Sequence, residues 1–185
     1  MNPLLLDFPD SFDTDRLTIR APRPGDGTQL NAAIHDSQAE LLPWMPWAKT
    51  LPSLEDSEAN IRKAIAQFIA REDLRLLLFL KGTGTKVGSS GLHRIDWTVP
   101  RFEIDYWVRT PFAARGYITE TVAAITEFAR THLGARRIEV RAAEKNPRSW
   151  RIPEKLGFLH EGTLANWQRD SEGGLHDQRV YAKTF

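Results

Sequence analysis

The stretch "FEIDYWVRTPFAARGYITE", Phe102 to Glu120, reads as a strand, a loop with one glycine, and the start of a helix. Glu103, Asp105 and Trp107 recur at period two and so share one face of the strand. The loop from Arg109 to Glu120 has two readings. Taken alone, a proline and a glycine between strand and helix make an ordinary connection. Yet a helix start exposes unpaired N–H groups and the positive end of the macrodipole, which suits phosphate. Arg109 and Arg115 add cations that fork onto phosphate oxygens, and Ala113, Ala114 and Gly116 let a ligand approach the main chain. Together these features favour an anion site. No Gly-Lys-Ser/Thr follows and the further glycines of a dinucleotide fingerprint are missing, so the holder is of another kind.

Working outward, the 185 residues suit one ordinary domain, and 41% hydrophobic against 26% charged content supports a buried core. With 25 basic and 24 acidic residues, the chain lacks the surplus expected of a nucleic-acid or membrane-coating protein. It has no cysteine, which excludes disulfides, thiolate metal sites and a cysteine nucleophile. "MNPLLLDFPD" lacks a basic n-region, and no apolar run approaches the ~20 residues that span a bilayer. A cytoplasmic protein is expected.

Period-two alternation predicts a strand over 15–21, and the apolar run "LRLLLFLK" (74–81) predicts one covered on both faces; segments between turns and helices are read as further strands over 86–97, 102–109, 136–142, 158–168 and 175–183. A first helix follows Asp26 as N-cap, carrying Leu30 and Ile34. A second starts at Ser53 or Asp56, with Ile61, Ile65, Phe68 and Ile69 at helical spacing. A third runs from Gly116 to His132, with Val122, Ile125, Phe128 and Ala129 inward and Gly134 at its end. A fourth, short helix covers 146–156. "GTGT" (82–85) and "DSEGG" (170–174) are turns, while three prolines keep "LPWMPWAKTLP" (42–52) irregular. The sum is one α/β (α+β) domain over 1–185, core 12–185, with a mixed sheet of about seven strands and about four helices.

"FEIDYWVRTPFAARGYITE" followed by "RRIEVRAAEKNPRSWRIPEKLGFLHEGTL" resembles the core of the GNAT N-acetyltransferases, in the RimJ/RimL-like branch that acetylates protein N-termini. The resemblance runs from "DRLTIRAP" to "HDQRVYA", and "YWV", "RGYITE", "N..S" and "EKLGF" in that order are its most specific part. It implies a mostly antiparallel sheet with acetyl-CoA in a splayed gap between 102–108 and 136–142. The pyrophosphate would lie on the loop and helix start, at Ala114, Arg115, Gly116, Tyr117, Ile118 and Thr119, with Arg109 beside them. Tyr117 is otherwise a packing residue. Asn146 would hold the pantetheine arm, and an N–H near Trp107 or Val108, splayed by a bulge, would face the thioester carbonyl. Four positions depart from the family pattern: Ala113, Ile118, Asp105 and Pro153. They motivate a rival reading, a CoA-binding protein without catalysis.

Acetyl transfer to an amine needs a base, a stabilised oxyanion and a proton for the leaving thiolate. An α-amino group, pKa ~8, is deprotonated more readily than a lysine at ~10.4. Glu103 matches the family's strand glutamate and is the first candidate base; its bland reading is a solvent-facing carboxylate. His93 on the neighbouring strand is the alternative, and Asp105, on the face of Glu103, is read as substrate-binding or as the base itself. Ser149 takes the place of the serine proposed to protonate the thiolate and also touches the cofactor arm. Trp44 and Trp47 are read as a wall of the acceptor cleft, against a bland role, shared with Trp97, as cover for the core. The acceptor is a protein N-terminus by resemblance, or a small amine. No metal, nucleic-acid or membrane partner is implied, and homodimers are common among proteins of this kind.

Overall fold

The structure is a computed structural model that describes residues 2–170 and 172–185. Met1 and Ser171, the latter within the expected 170–174 turn, lie outside the described residues. The strands are β1 (Ser11–Asp13), β2 (Leu17–Arg20), β3 (Leu74–Leu80), β4 (Lys86–Asp96), β5 (Arg101–Val108), β6 (Arg137–Ala143), β7 (Leu159–Arg169) and β8 (Leu175–Thr184). They form one sheet in the order β1-β2-β3-β4-β5-β6-β8-β7. Among the described residues only β5 and β6 run parallel; every other neighbouring pair is antiparallel. The strand beyond the expected seven is β1, whose three residues are too few to show a period.

The helices are α1 (Gly27–His35), α2 (Gln38–Leu41), α3 (Leu54–Ile69), α4 (Tyr117–His132) and α5 (Pro147–Lys155). The short α2 was not expected. Pro46–Lys49, inside the proline-rich loop, is a single 3-10 turn. Apolar side chains of β3 alternate between two cores, which is why its sequence is continuously apolar. Leu76 and Leu78 join the core beneath α4, whose Val122, Ile125, Phe128 and Ala129 face inward. Leu77 and Phe79 join a smaller core with Leu30 and Ile34 of α1 and Ile61 of α3.

Helix ends follow local chemistry with two corrections. Ser53 and Asp56 form a reciprocal capping box on α3, and Gly134 beyond α4 is left-handed at φ 64°. Asp26 precedes α1 but does not cap it. Its carboxylate instead takes two bonds from Arg20, at 2.7 and 2.8 Å, and one from the Arg23 N–H. Glu58 of α3 accepts the Gly25 and Gly27 N–H groups in its place, because Gly27 has no Cβ to strike the Glu58 backbone 2.6 Å away. Ile69 is 67% exposed, since the buried stripe of α3 runs through Ile61, Ala64 and Phe68 and leaves it on the flank. No helix among the described residues is long and apolar enough to cross a membrane.

Candidate active site

The site begins where the sheet comes apart. β5 and β6 pair from Arg101↔Arg137 to Ile104↔Val140 and then stop. β5 continues along β4 as far as Gly88↔Val108, while β6 continues along β8 to Ala143↔Gln178. Each strand follows its outer neighbour, so a gap opens between them. Pairing of β5 with β4 is regular over 103–108, and the irregularity lies at the other end, between His93 and Asp96. The splay therefore needs no bulge at Trp107 or Val108, contrary to the expectation. A glycine is required at 88, because a Cβ there would lie 2.3 Å from the Trp107 carbonyl oxygen. Beyond Ile104 the β5 edge facing β6 has no strand partner, so main-chain groups there are open to a ligand.

A cavity of about 720 Å3 occupies the gap and runs through the sheet. On one side it is lined by Val108, Ala113, Ile118, Ala142, Asn146 and Ser149. Here α4 starts from Gly116, left-handed at φ 81°, with Ala114 also left-handed at φ 59°. Its first helical bond runs from Glu120 N–H to Gly116 O, and no side chain caps the end. The N–H groups of Tyr117, Ile118 and Thr119 thus precede the helical ladder. Ile118 packs with the core while also lining the cavity. Tyr117 packs edge-on against Phe112 and lies under the Arg16 guanidinium. Glu120 ties α4 to the turn before β2, accepting from Thr14 Oγ1 and from the Arg16 N–H and Nε.

The two arginines of the loop separate. Arg109 turns toward α1, with Nε and Nη2 at 2.8 and 2.6 Å from Asp36 Oδ2. Its guanidinium is thereby committed away from the start of α4. Arg115 lies over Phe112, with its carbonyl held by Arg16 Nη1 at 2.9 Å.

At the floor, Asn146 caps α5 by accepting the Ser149 N–H at 3.2 Å. Pro153 sits inside α5 and has no N–H to offer the carbonyl of Ser149, four residues earlier. Tyr106 uses that vacancy: its hydroxyl donates to Ser149 O at 2.9 Å and accepts from Ser149 Oγ at 3.3 Å. Burial pushes the Tyr106 phenol well above its ordinary pKa. The departure at Pro153 therefore leaves α5 intact and joins a serine and a tyrosine beside the cavity.

The other side of the cavity is charged. Glu103 is buried, with one oxygen on Arg94 and the other 3.2 Å from Arg141 Nε. Asp105 lines the same cavity but is far more exposed, at 62% of its side chain against 11% for Glu103. His93 bridges two carboxylates: Nδ1 lies 2.6 Å from Asp73 Oδ2 and Nε2 lies 2.8 Å from Asp105 Oδ1, the latter off the line of a well-directed hydrogen bond. Burial disfavours its charge, but Asp105 and Asp73 outweigh this and raise its pKa to about 10. At neutral pH the ring is a cation and has no lone pair with which to act as a base.

Trp44 and Trp47 both line this side, and Trp47 meets Trp107 edge-on at 6.3 Å between centroids. Trp97 does not; it packs on Phe102 and donates Nε1–H to Arg71 O. A second cavity of about 530 Å3, under α1 and α3, shares Trp47, His93, Asp105 and Trp107 with the first. Asp73, Arg94, Arg141 and Tyr106 were not among the residues singled out from the sequence. Only Tyr106 carried a signal, its place beside Trp107 in "YWV".

A single sheet splayed between its one parallel pair, with an uncapped helix start on one side, defines the class of acyl-CoA-dependent acyltransferases. The chain belongs to the acetyltransferase (GNAT) domain family, whose model matches residues 16–159. It is an acyltransferase that draws its acetyl group from acetyl-CoA. It is 30% identical over 171 residues to the "Putative ribosomal N-acetyltransferase YdaF" of Bacillus subtilis (strain 168), covering 90% of each chain. Among solved structures it is similar to a "Probable acetyltransferase", with TM-score 0.87, 26% identity, and 94% and 96% of the two chains covered. RimL, the ribosomal L7/L12 alpha-N-protein acetyltransferase in complex with coenzyme A, shares the fold at TM-score 0.87 and 19% identity, over 93% and 96% of the chains. These likenesses support the RimJ/RimL-like branch.

Proposed function

We propose that this chain is an N-acetyltransferase that moves acetyl from acetyl-CoA to a primary amine, the α-amino group of a protein or peptide, by direct attack. The observation that carries this reading is Asp105, an exposed carboxylate on the unpaired stretch of β5, in one cavity with Ser149. Relatives named for ribosomal proteins and for alpha-N-protein acetylation support a polypeptide acceptor. They also support a cytoplasmic setting, which suits a chain without cysteine.

Acetyl-CoA supplies the thioester. Its pyrophosphate is held by the N–H groups at the start of α4 and by Arg115. Asp105 receives the acceptor as an ammonium and takes a proton from it, directly or through a water, so that the amine lone pair is free to form the N–C bond. Main-chain N–H groups of the unpaired β5 edge face the carbonyl oxygen as it gains charge. As the C–S bond breaks, Ser149 Oγ turns its proton from Tyr106 to the thiolate and recovers, through solvent, the second proton that the nitrogen sheds in becoming an amide. Glu103, tied to Arg94 and Arg141, supports this wall of the cleft and is not the base in this reading.

The test is a screen for CoA release with short peptides of varied first residue and with small amines. Peptides are expected to be acetylated at the α-amino group, located by mass spectrometry. Turnover confined to small amines would remove the polypeptide acceptor, and absence of turnover with every amine would favour a CoA-binding protein without catalysis.

A further inference from the structure

Three strands supply the surroundings of His93. The residue directly across from it on β5 is Glu103, while Asp105 stands across from Gly91. The imidazole therefore reaches Asp105 diagonally, by lying back over Gly91. The glycine makes this possible: a Cβ at 91 would come within 2.8 Å of both His93 Nε2 and Leu74 O. The other ring nitrogen meets Asp73, the residue before β3, at 2.6 Å. The three groups do not converge as a metal site, and none is found among the described residues.

We propose that His93 is a positioning residue: as an imidazolium lying over Gly91 between Asp73 and Asp105, it aims the Asp105 carboxylate into the cleft where the acceptor amine arrives. This rests on the reading of Asp105 given above. A neutral ring donates from one nitrogen only and would turn a lone pair on the other carboxylate. A protonated ring donates to Asp73 and sets its charge against Asp105 at 2.8 Å, and the raised pKa agrees. Other charges facing the ring are committed elsewhere: Glu103 to Arg94 and Arg141, and Arg75 of β3 to Asn60 Oδ1.

Without the ring, an aspartate 62% exposed would turn freely among its rotamers. With Oδ1 pinned, Oδ2 has no partner among the described residues and is left for the ammonium. The pinned carboxylate also stands where the two cavities meet, so an amine bound to it has room for substituents on either side.

The test has two arms. Ring 15N shifts of His93 in the wild-type chain, titrated from pH 6 to 9, are expected to show both nitrogens protonated throughout, and Asp105→Asn is expected to bring the titration down into that range. A neutral tautomer at pH 7.5 in the wild type overturns the clamp, whether or not any amine is acetylated. In the kinetic arm, His93→Gln is expected to lower kcat/KM for the acceptor by up to about 10²-fold, the order that a misplacement of about 1 Å costs, with CoA affinity unchanged. In an Asp105→Asn background the same change is expected to cost nothing further. Losses that simply multiply would mean that His93 does not act through Asp105 and would overturn the proposal. Full activity of Asp105→Asn alone would remove the base assignment, and the clamp's purpose with it.

Discussion

On the α4 side of the cleft a ligand meets main chain and mostly small side chains, from the loop and helix start at 113–119, the end of β6 and the start of α5. On the β4 side it meets charged and aromatic side chains drawn from the residue before β3, from β4, β5 and β6, and from the 42–52 loop. The first half suits a ligand that never changes, since a phosphate needs only oriented N–H groups. The second suits a ligand that must be chosen and deprotonated, which requires titratable groups in fixed places. Substitutions should therefore divide cleanly between donor and acceptor parameters.

The largest effect is expected at Asp105. Asp105→Asn should lower kcat by something like the ~10²–10⁴-fold of a lost general base and leave CoA affinity alone. Glu103→Gln should act differently, lowering melting temperature by loosening Arg94 and Arg141 more than it lowers kcat. A kcat loss for Glu103→Gln as large as that for Asp105→Asn would return the base to Glu103.

Next comes the donor half. Gly116→Asp places a side chain on a left-handed residue, at φ 81°, and a negative charge at the phosphate end of α4. CoA affinity by titration calorimetry should fall about 10-fold or more, equivalent to about 1.4 kcal/mol, with acceptor KM unchanged. Unaltered CoA affinity would mean that α4 does not hold the pyrophosphate.

A smaller effect is expected at the aromatic wall. Trp47 is 49% exposed, so Trp47→Ala should lower the melting temperature by less than the loss of a fully buried tryptophan would. Acceptor KM should rise several-fold while CoA binding stays as it was, the signature of lost substrate binding. An early melt with normal KM would make the loop a lid on the core.

The smallest effect is on stability, where two cations at opposite ends of β4 oppose each other. His93 titrates near 10 in the folded chain against 6.5 ordinarily, so its contribution is full below about 6.5 and is lost as pH rises toward 10. Lys86 is fully buried against Gly88 O and Ser89 Oγ, and burial lowers its pKa to about 7, with Asp26 partly offsetting this. Between about 7 and 10.5 the unfolded chain binds the proton more tightly, so stability rises with pH across that window. Melts of Lys86→Met should fall more steeply between pH 7 and 9 than those of the parent, and melts of His93→Gln should rise. Equal pH slopes for all three proteins would contradict both titrations.

Local sequence carried the donor half. The helix start, small residues and flanking arginines of 109–120 are contiguous, and "N..S" and "EKLGF" fall at the two ends of one short helix, so spacing alone places them. Even there, which arginine stays beside the start of α4 depended on Asp36, 73 residues away from Arg109. The strand pattern also showed Glu103, Asp105 and Trp107 on one face, because alternation is a property of the backbone. It did not show which carboxylate is free. That was decided by Arg94, Arg141 and Asp73, which reach the same few ångströms from β4, β6 and the end of a loop. Pro153 shows the same division: the sequence marks a lost helical hydrogen bond, and only the packing of β5 against α5 reveals that Tyr106 takes the freed carbonyl. Periodicity is local and survives in one dimension; ion pairing is set by distance in space, which a chain acquires only when it folds.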